Sequence, residues 1–177
     1  NAQNITPIVE TCENEVFSGI VINEVVANPS GSDSGNEWLE IYNRTSADID
    51  ISGWKILAGT SSFTEKGSFP YPTVIAAGEY MLVGEDEVVD TLGRAPDIVM
   101  NLSMGQGSSS IDGVRLSDCA DVPIDTVLYG DSSTIEPDWS DDISSSPTSF
   151  APEFGEGQAI GRMPNGVDTN LSGNDFE

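Results

Sequence analysis

Near its end the chain reads Asp168-Thr169-Asn170-Leu171-Ser172-Gly173-Asn174-Asp175, with oxygen-bearing side chains at alternate positions and a glycine at the sixth. Hard divalent cations are held by several oxygen ligands converging from one loop, and this order is the first half of an EF-hand-like calcium loop. The ligands on offer are Asp168, Asn170 and Asp175. No bidentate glutamate stands at the twelfth position, because the sequence runs only to Glu177. A second oxygen-rich loop carries Asp33, Asn36 and Glu37, and a third carries Asp138, Asp141 and Asp142. A plainer reading stands beside calcium for each loop, in which Asp, Asn, Ser and Gly bend the backbone and bind nothing.

Other chemistry finds little footing. The chain has no histidine, so a serine or cysteine nucleophile lacks its ordinary base. Paired carboxylates are the machinery of glycosidases. With 30 acidic residues in 177, however, close carboxylate pairs are expected by accident. No Gly-rich phosphate cradle of the required spacing occurs. A non-catalytic protein is the expectation.

Charge narrows the partners. Thirty acidic against six basic residues give a formal charge of −24, and such a surface repels phosphate backbones. Nucleic acid is therefore excluded as a direct partner, which leaves proteins or further copies of the chain. No window carries a membrane-spanning apolar run, so no membrane insertion is expected. The plain reading of the charge is solubility in a salty or divalent-rich medium.

These residues need a scaffold, and the hydrophobic pattern describes one. Apolar residues make up 37% and come in short runs between Gly, Pro, Asn and Ser, with no 3.6-residue period. Strands are expected at residues 20–27, 37–43, 54–58, 80–84, 98–101, 114–117, 124–129 and 159–163. In the second, Leu39 and Ile41 share one face and are core residues, while Trp38, Glu40 and Tyr42 share the other. Trp38 and Tyr42 then either cover a neighbouring part of the chain, Trp54 or the C-terminal segment, or offer an aromatic contact. Trp54 itself reads as a core residue at a strand entry. Trp139, inside an acidic loop, either anchors that loop or presents a further contact.

A series of stretches in order resembles the lamin tail domain, an immunoglobulin-like module. They begin with Ile22-Asn23-Glu24-Val25, Glu37-Trp38-Leu39-Glu40-Ile41-Tyr42-Asn43 and the corner Ile51-Ser52-Gly53-Trp54. Gly67-Ser68-Phe69-Pro70 and the run from Ile75 to Gly84 are similar to the family's middle strands. Gly113-Val114-Arg115-Leu116-Ser117-Asp118 and Ile124-Asp125-Thr126-Val127-Leu128-Tyr129-Gly130 look like its late hairpin. The segment from Gln158 to Thr169 is similar to the closing segment of exported bacterial versions. The resemblance implies an all-β, immunoglobulin-like antiparallel β-sandwich over residues 19–177, with an N-terminal arm at 1–18 and long acidic C-terminal loops.

It also implies a non-enzymatic binding or structural module, secreted or on the cell surface, as one subunit of a larger assembly. The alternative is an inactive accessory domain of a secreted hydrolase of nuclease type. A start at Asn1, with neither methionine nor leader, fits a mature exported chain and equally a trimmed one. In an exported chain the pair Cys12 and Cys119 is expected to form one disulfide, closing a loop long enough to restrict the unfolded state by on the order of 4 kcal/mol. Two buried free thiols are the alternative. The arm would then either be bound to its own domain through Cys12 or add a strand to the next copy.

Overall fold

The computed structural model describes residues 19–60, 62–108, 110–130, 149–153 and 155–177. Eleven strands and two short helices lie within them. One sheet has five strands in the order β11 (Ile160–Gly161), β1 (Ile20–Val26), β2 (Trp38–Asn43), β7 (Tyr80–Gly84) and β8 (Ile98–Val99). The other has four, in the order β10 (Pro123–Gly130), β9 (Ile111–Ser117), β4 (Lys55–Gly59) and β5 (Thr64–Ser68). β3 (Ile49–Asp50) and β6 (Val74–Ile75) form a separate two-stranded pair. All pairings are antiparallel except β7 with β8. This is an immunoglobulin-like sandwich.

The alternation in the sequence sets which side chains meet between the sheets. Leu39 and Ile41 are wholly buried, and they share one cluster with Ile56, Val114, Leu116, Val127 and Trp54. That cluster runs from Ile20 to Phe176, so the last residues are part of the same core. β1 breaks strict alternation at a bulge between Ile22 and Glu24, where Asn23 is the extra residue. The bulge swaps the phase, which turns Val25 inward after Ile20 and Ile22 and leaves Glu24 opposite Glu40 on the outer face.

Three strands were not expected from the pattern. β5 reads Thr64-Glu65-Lys66-Gly67-Ser68 and lies half-exposed at a sheet edge, so it has no apolar face to declare it. β3 and β6 are two residues each, too short to show an alternation. Two expected strands are shorter than foreseen, namely 98–101 and 159–163, because only Ile98–Val99 and Ile160–Gly161 find ladder partners. The helices α1 (Val88–Leu92) and α2 (Ser172–Asp175) are single turns. Among the described residues no helix is long and apolar enough to cross a membrane.

The corner before β4 needs its glycine. Gly53 has φ +75°, a conformation that strains any residue with a Cβ, and an added Cβ would also displace the Tyr71 hydroxyl 2.5 Å away. Trp54 follows directly and enters the core at 3% exposure, as expected.

Candidate functional site

The C-terminal residues expected to bind calcium do converge, and the cation they meet is Arg162. This arginine, just after β11, has a side chain only 1% exposed. Its Nε donates to the carbonyl of Ile22 at 2.8 Å, and Nη1 donates to the carbonyl of Val167 at 2.8 Å and to Asp175 Oδ2 at 2.9 Å. Nη2 donates to both oxygens of Asp125, each at 2.8 Å. All three nitrogens of the fork thereby donate to the protein's own oxygens. Asp168 Oδ1 lies 3.5 Å from Nη1, and the Phe176 ring lies 4.6 Å from the guanidinium carbon.

The remaining lone pairs in this group are used as well. Asp175 accepts from the Thr169 amide at 2.9 Å and the Thr169 hydroxyl at 2.8 Å, and Asp125 Oδ2 accepts from the Ile22 amide at 2.6 Å. Asn170, at φ +58°, donates its amide to Asp168 Oδ1 at 3.0 Å. Burial pushes the Asp125 carboxyl upward against the Arg162 charge that holds it down. Burial likewise opposes the guanidinium, but Asp125, Asp168 and Asp175 more than offset it, so Arg162 is held charged. The glycine at the sixth position of the supposed calcium loop lies instead in the single turn of α2.

The second expected pair, Asp33 and Glu37, belongs to a different group. Residues 102–107, between β8 and β9, make no ladder hydrogen bonds and are held by four acidic side chains from three parts of the chain. Glu85 Oε1 accepts from the Leu102 amide at 3.2 Å, and Glu37 Oε2 from the Met104 amide at 2.7 Å. Asp112 Oδ2 accepts from the Gly107 amide at 2.6 Å, and Asp33 Oδ2 from the Gln106 side-chain amide. Glu85 Oε2 reaches the other way, to the amides of Gly35 at 2.6 Å and Glu37 at 3.3 Å. Tyr129, fully buried on β10, donates its hydroxyl to the Gly105 carbonyl at 2.8 Å.

Charge inside this group is costly. Glu37 is 3% exposed, and burial pushes its carboxyl up to about 7, with Glu85 and Asp33 adding to the shift against the Met104 amide and Lys66. Burial also raises Asp112, whose Oδ1 has no hydrogen-bond partner. The Tyr129 hydroxyl is raised by burial and by the fields of Asp112 and Glu37. Among the described residues no group of three or more His, Cys, Asp or Glu is disposed to hold a metal ion.

The aromatic residues are placed as their alternation required. Trp38 and Tyr42 are half-buried on the outer face of the five-stranded sheet. Tyr42 stacks on Tyr80 of β7 with ring centroids 4.3 Å apart, and Gly166 of the C-terminal segment lies against its other atoms. Tyr42 is thus covered by the C-terminal segment. Cys119, after β9, packs against the main core and is not a free thiol. Cys12, Trp139 and the loop of Asp138, Asp141 and Asp142 lie outside the described residues.

Residues 14–134 match the family described as Lamin Tail Domain, which is about two thirds of the chain. The chain belongs to the lamin tail domain family. No curated protein matches it. The match spans β1 to β10 and stops before β11, Arg162 and α2. In this lamin tail domain the unmatched closing segment is therefore fastened to the matched sandwich through Arg162 and Asp125.

Four residues at the centre of these groups escaped the sequence reading: Asp125, Arg162, Glu85 and Asp112. A signal was present for two of them. Asp112 and Asp125 interrupt the apolar strands Ile111-Asp112-Gly113-Val114 and Ile124-Asp125-Thr126-Val127, where an inward charge demands a partner.

Proposed function

We propose that this lamin tail domain is a non-enzymatic module, exported to the cell surface or beyond, that contacts protein partners or further copies of itself. The observation that carries the reading is the use to which the acidic side chains are put. Glu37, Glu85, Asp112, Asp125 and Asp175 accept hydrogen bonds from the chain's own amides or from Arg162, so these acids hold the sandwich together. Contact chemistry remains on the surface. Tyr80, Met163 and Val99 are exposed apolar side chains at 37%, 61% and 62%. Tyr80 is the outward ring of the Tyr42–Tyr80 stack, and it is our choice for a contact residue.

Two measurements test the reading. Nuclease, protease and glycosidase assays on the isolated chain should show no turnover; activity abolished by replacing one carboxylate would make it an enzyme. Light scattering over a concentration series should show mass rising with concentration, and Tyr80→Ala should reduce the rise. A mass that stays monomeric throughout removes self-assembly from the proposal.

A further inference from the structure

We propose that the free edge of β8 and the acidic cleft beside it dock an extended basic segment of a protein partner, one lysine or arginine of which enters the cleft. This rests on the reading of the domain as a protein-contact module and gives the partner its chemistry. β8 ends the five-stranded sheet, with β7 on one side and no strand on the other among the described residues. On either side of it the amides of Asp97 and Met100 donate to the carbonyls of Leu82 and Gly84 at 2.8 and 2.9 Å, which holds β8 extended along β7. A strand edge presented in this way can take a further strand. Val99 stands on it at 62% exposure.

The cleft measures about 320 Å³ and draws its lining from three parts of the chain: Gly35 before β2, Glu85, Asp86 and Glu87 after β7, and Val99 and Met100 at the end of β8. Its walls are tied to one another by the protein's own hydrogen bonds. Glu85 accepts from the Gly35 amide at 2.6 Å through Oε2 and from the Leu102 amide at 3.2 Å through Oε1, and the Glu87 amide donates to the Gly35 carbonyl at 2.9 Å. The cleft is therefore preformed, and its size suits one long side chain.

Charge selects the occupant. Three carboxylates line the cleft, and none of the described lining residues is cationic. Asp86 and Glu87 are exposed, and Asp86 has no hydrogen bond or ion pair among the described residues. Arg94, the cation nearest to β8 in sequence, is paired with Asp97 at 2.6 Å. Val99 and Met100 offer an apolar wall for the stem of a lysine or arginine whose charged head meets Asp86 and Glu87. A second copy is the poorer occupant, because two chains of charge −24 repel. The edge is two residues long and offers few backbone hydrogen bonds, so the cationic side chain carries the selectivity.

Amide chemical shifts of the whole chain at about 0.15 M salt test the site. The probe is a short peptide alternating valine and lysine, and its control carries glutamate in place of lysine. The lysine peptide should shift the amides of Gly35, Asp86 and residues 98–101, and the glutamate peptide should shift none. Asp86→Lys should weaken the lysine peptide on the order of tenfold. Glu79→Lys, the same change of charge on an exposed residue at the other end of β7, should leave its affinity within about twofold. Should Asp86→Lys fail to fold, Glu87→Gln takes its place. No binding of the lysine peptide, shifts gathered around Tyr80, or equal weakening by the changes at 86 and 79 would each overturn the β8 site and leave the module reading in place. Cleavage of the peptide by the chain would overturn that reading, and the site with it.

Discussion

Arg162 grips Asp125 with two hydrogen bonds of 2.8 Å, and each side chain is only 1% exposed. The pair joins a segment beyond the family match to β10 within it. A buried guanidinium whose three nitrogens all donate to the protein is a rigid fastener, because any displacement leaves a desolvated charge unpaired.

Breaking the pair from one side should therefore be severe. Arg162→Ala is expected to lower stability by about 3–5 kcal/mol in denaturant unfolding, since it orphans Asp125 and Asp175 together. A double change to apolar residues of similar volume at 162 and 125 should cost less than Arg162→Ala alone. Equal losses would show that the charge pairing is not what matters.

Acidification should stabilise the fold. Glu37 has a folded value near 7 against an ordinary 4.5, so between these values the native state holds a proton the unfolded chain has lost. The slope of unfolding free energy with pH is then negative, and stability present below about pH 4.5 is lost as the pH climbs through 7. Glu24, Asp112 and Asp125 are displaced in the same sense. Melting between about pH 8 and about pH 5 should reveal a gain on the order of 2–3 kcal/mol from Glu37. Glu37→Gln should be stabler than the parent at the upper end and show a shallower slope.

Gly105→Ala tests the close approach of the 102–107 segment to β9. The added Cβ meets the Asp112 carboxyl carbon at 2.2 Å, so either the acid or the segment must shift. The expected cost is about 1–3 kcal/mol. Gly78→Ala, with open space around its Cβ, measures the cost of a positive φ alone.

Calcium should act mainly as a screen at the C-terminal loop. Asp175 and Asp168 already face Arg162, and Asp168 also lies 3.5 Å from Arg44. Thermal unfolding in calcium should match unfolding in sodium at equal ionic strength. An extra shift that survives Asp168→Ala would locate a calcium site elsewhere, with Asp33 and the loop of Asp138, Asp141 and Asp142 the places to test next.

For Cys12 and Cys119 the expected result is one disulfide. Peptide mapping of the unreduced chain should recover the two linked. Two thiols that alkylate freely before reduction would contradict it.

Short-range patterning carried the sandwich into view. Leu39 and Ile41 alternate with Trp38, Glu40 and Tyr42, and a pleated strand has no other way to place them than on opposite faces. The Gly53-Trp54 corner was equally local, since the turn and the buried ring are neighbours in sequence. Polar edges such as β5 lacked this signal because neither of their faces is apolar. The tasks of the acids were settled only by the tertiary structure. Asp168 and Asp175 look like calcium ligands until strand order brings Arg162 between them and Asp125, 37 residues away in the chain. Glu37 reads as a loop carboxylate until Met104, 67 residues on, donates its amide and the surrounding core removes water. Alternation tells a residue which face it occupies. What a charge on that face must pair with depends on which distant segment the fold lays against it.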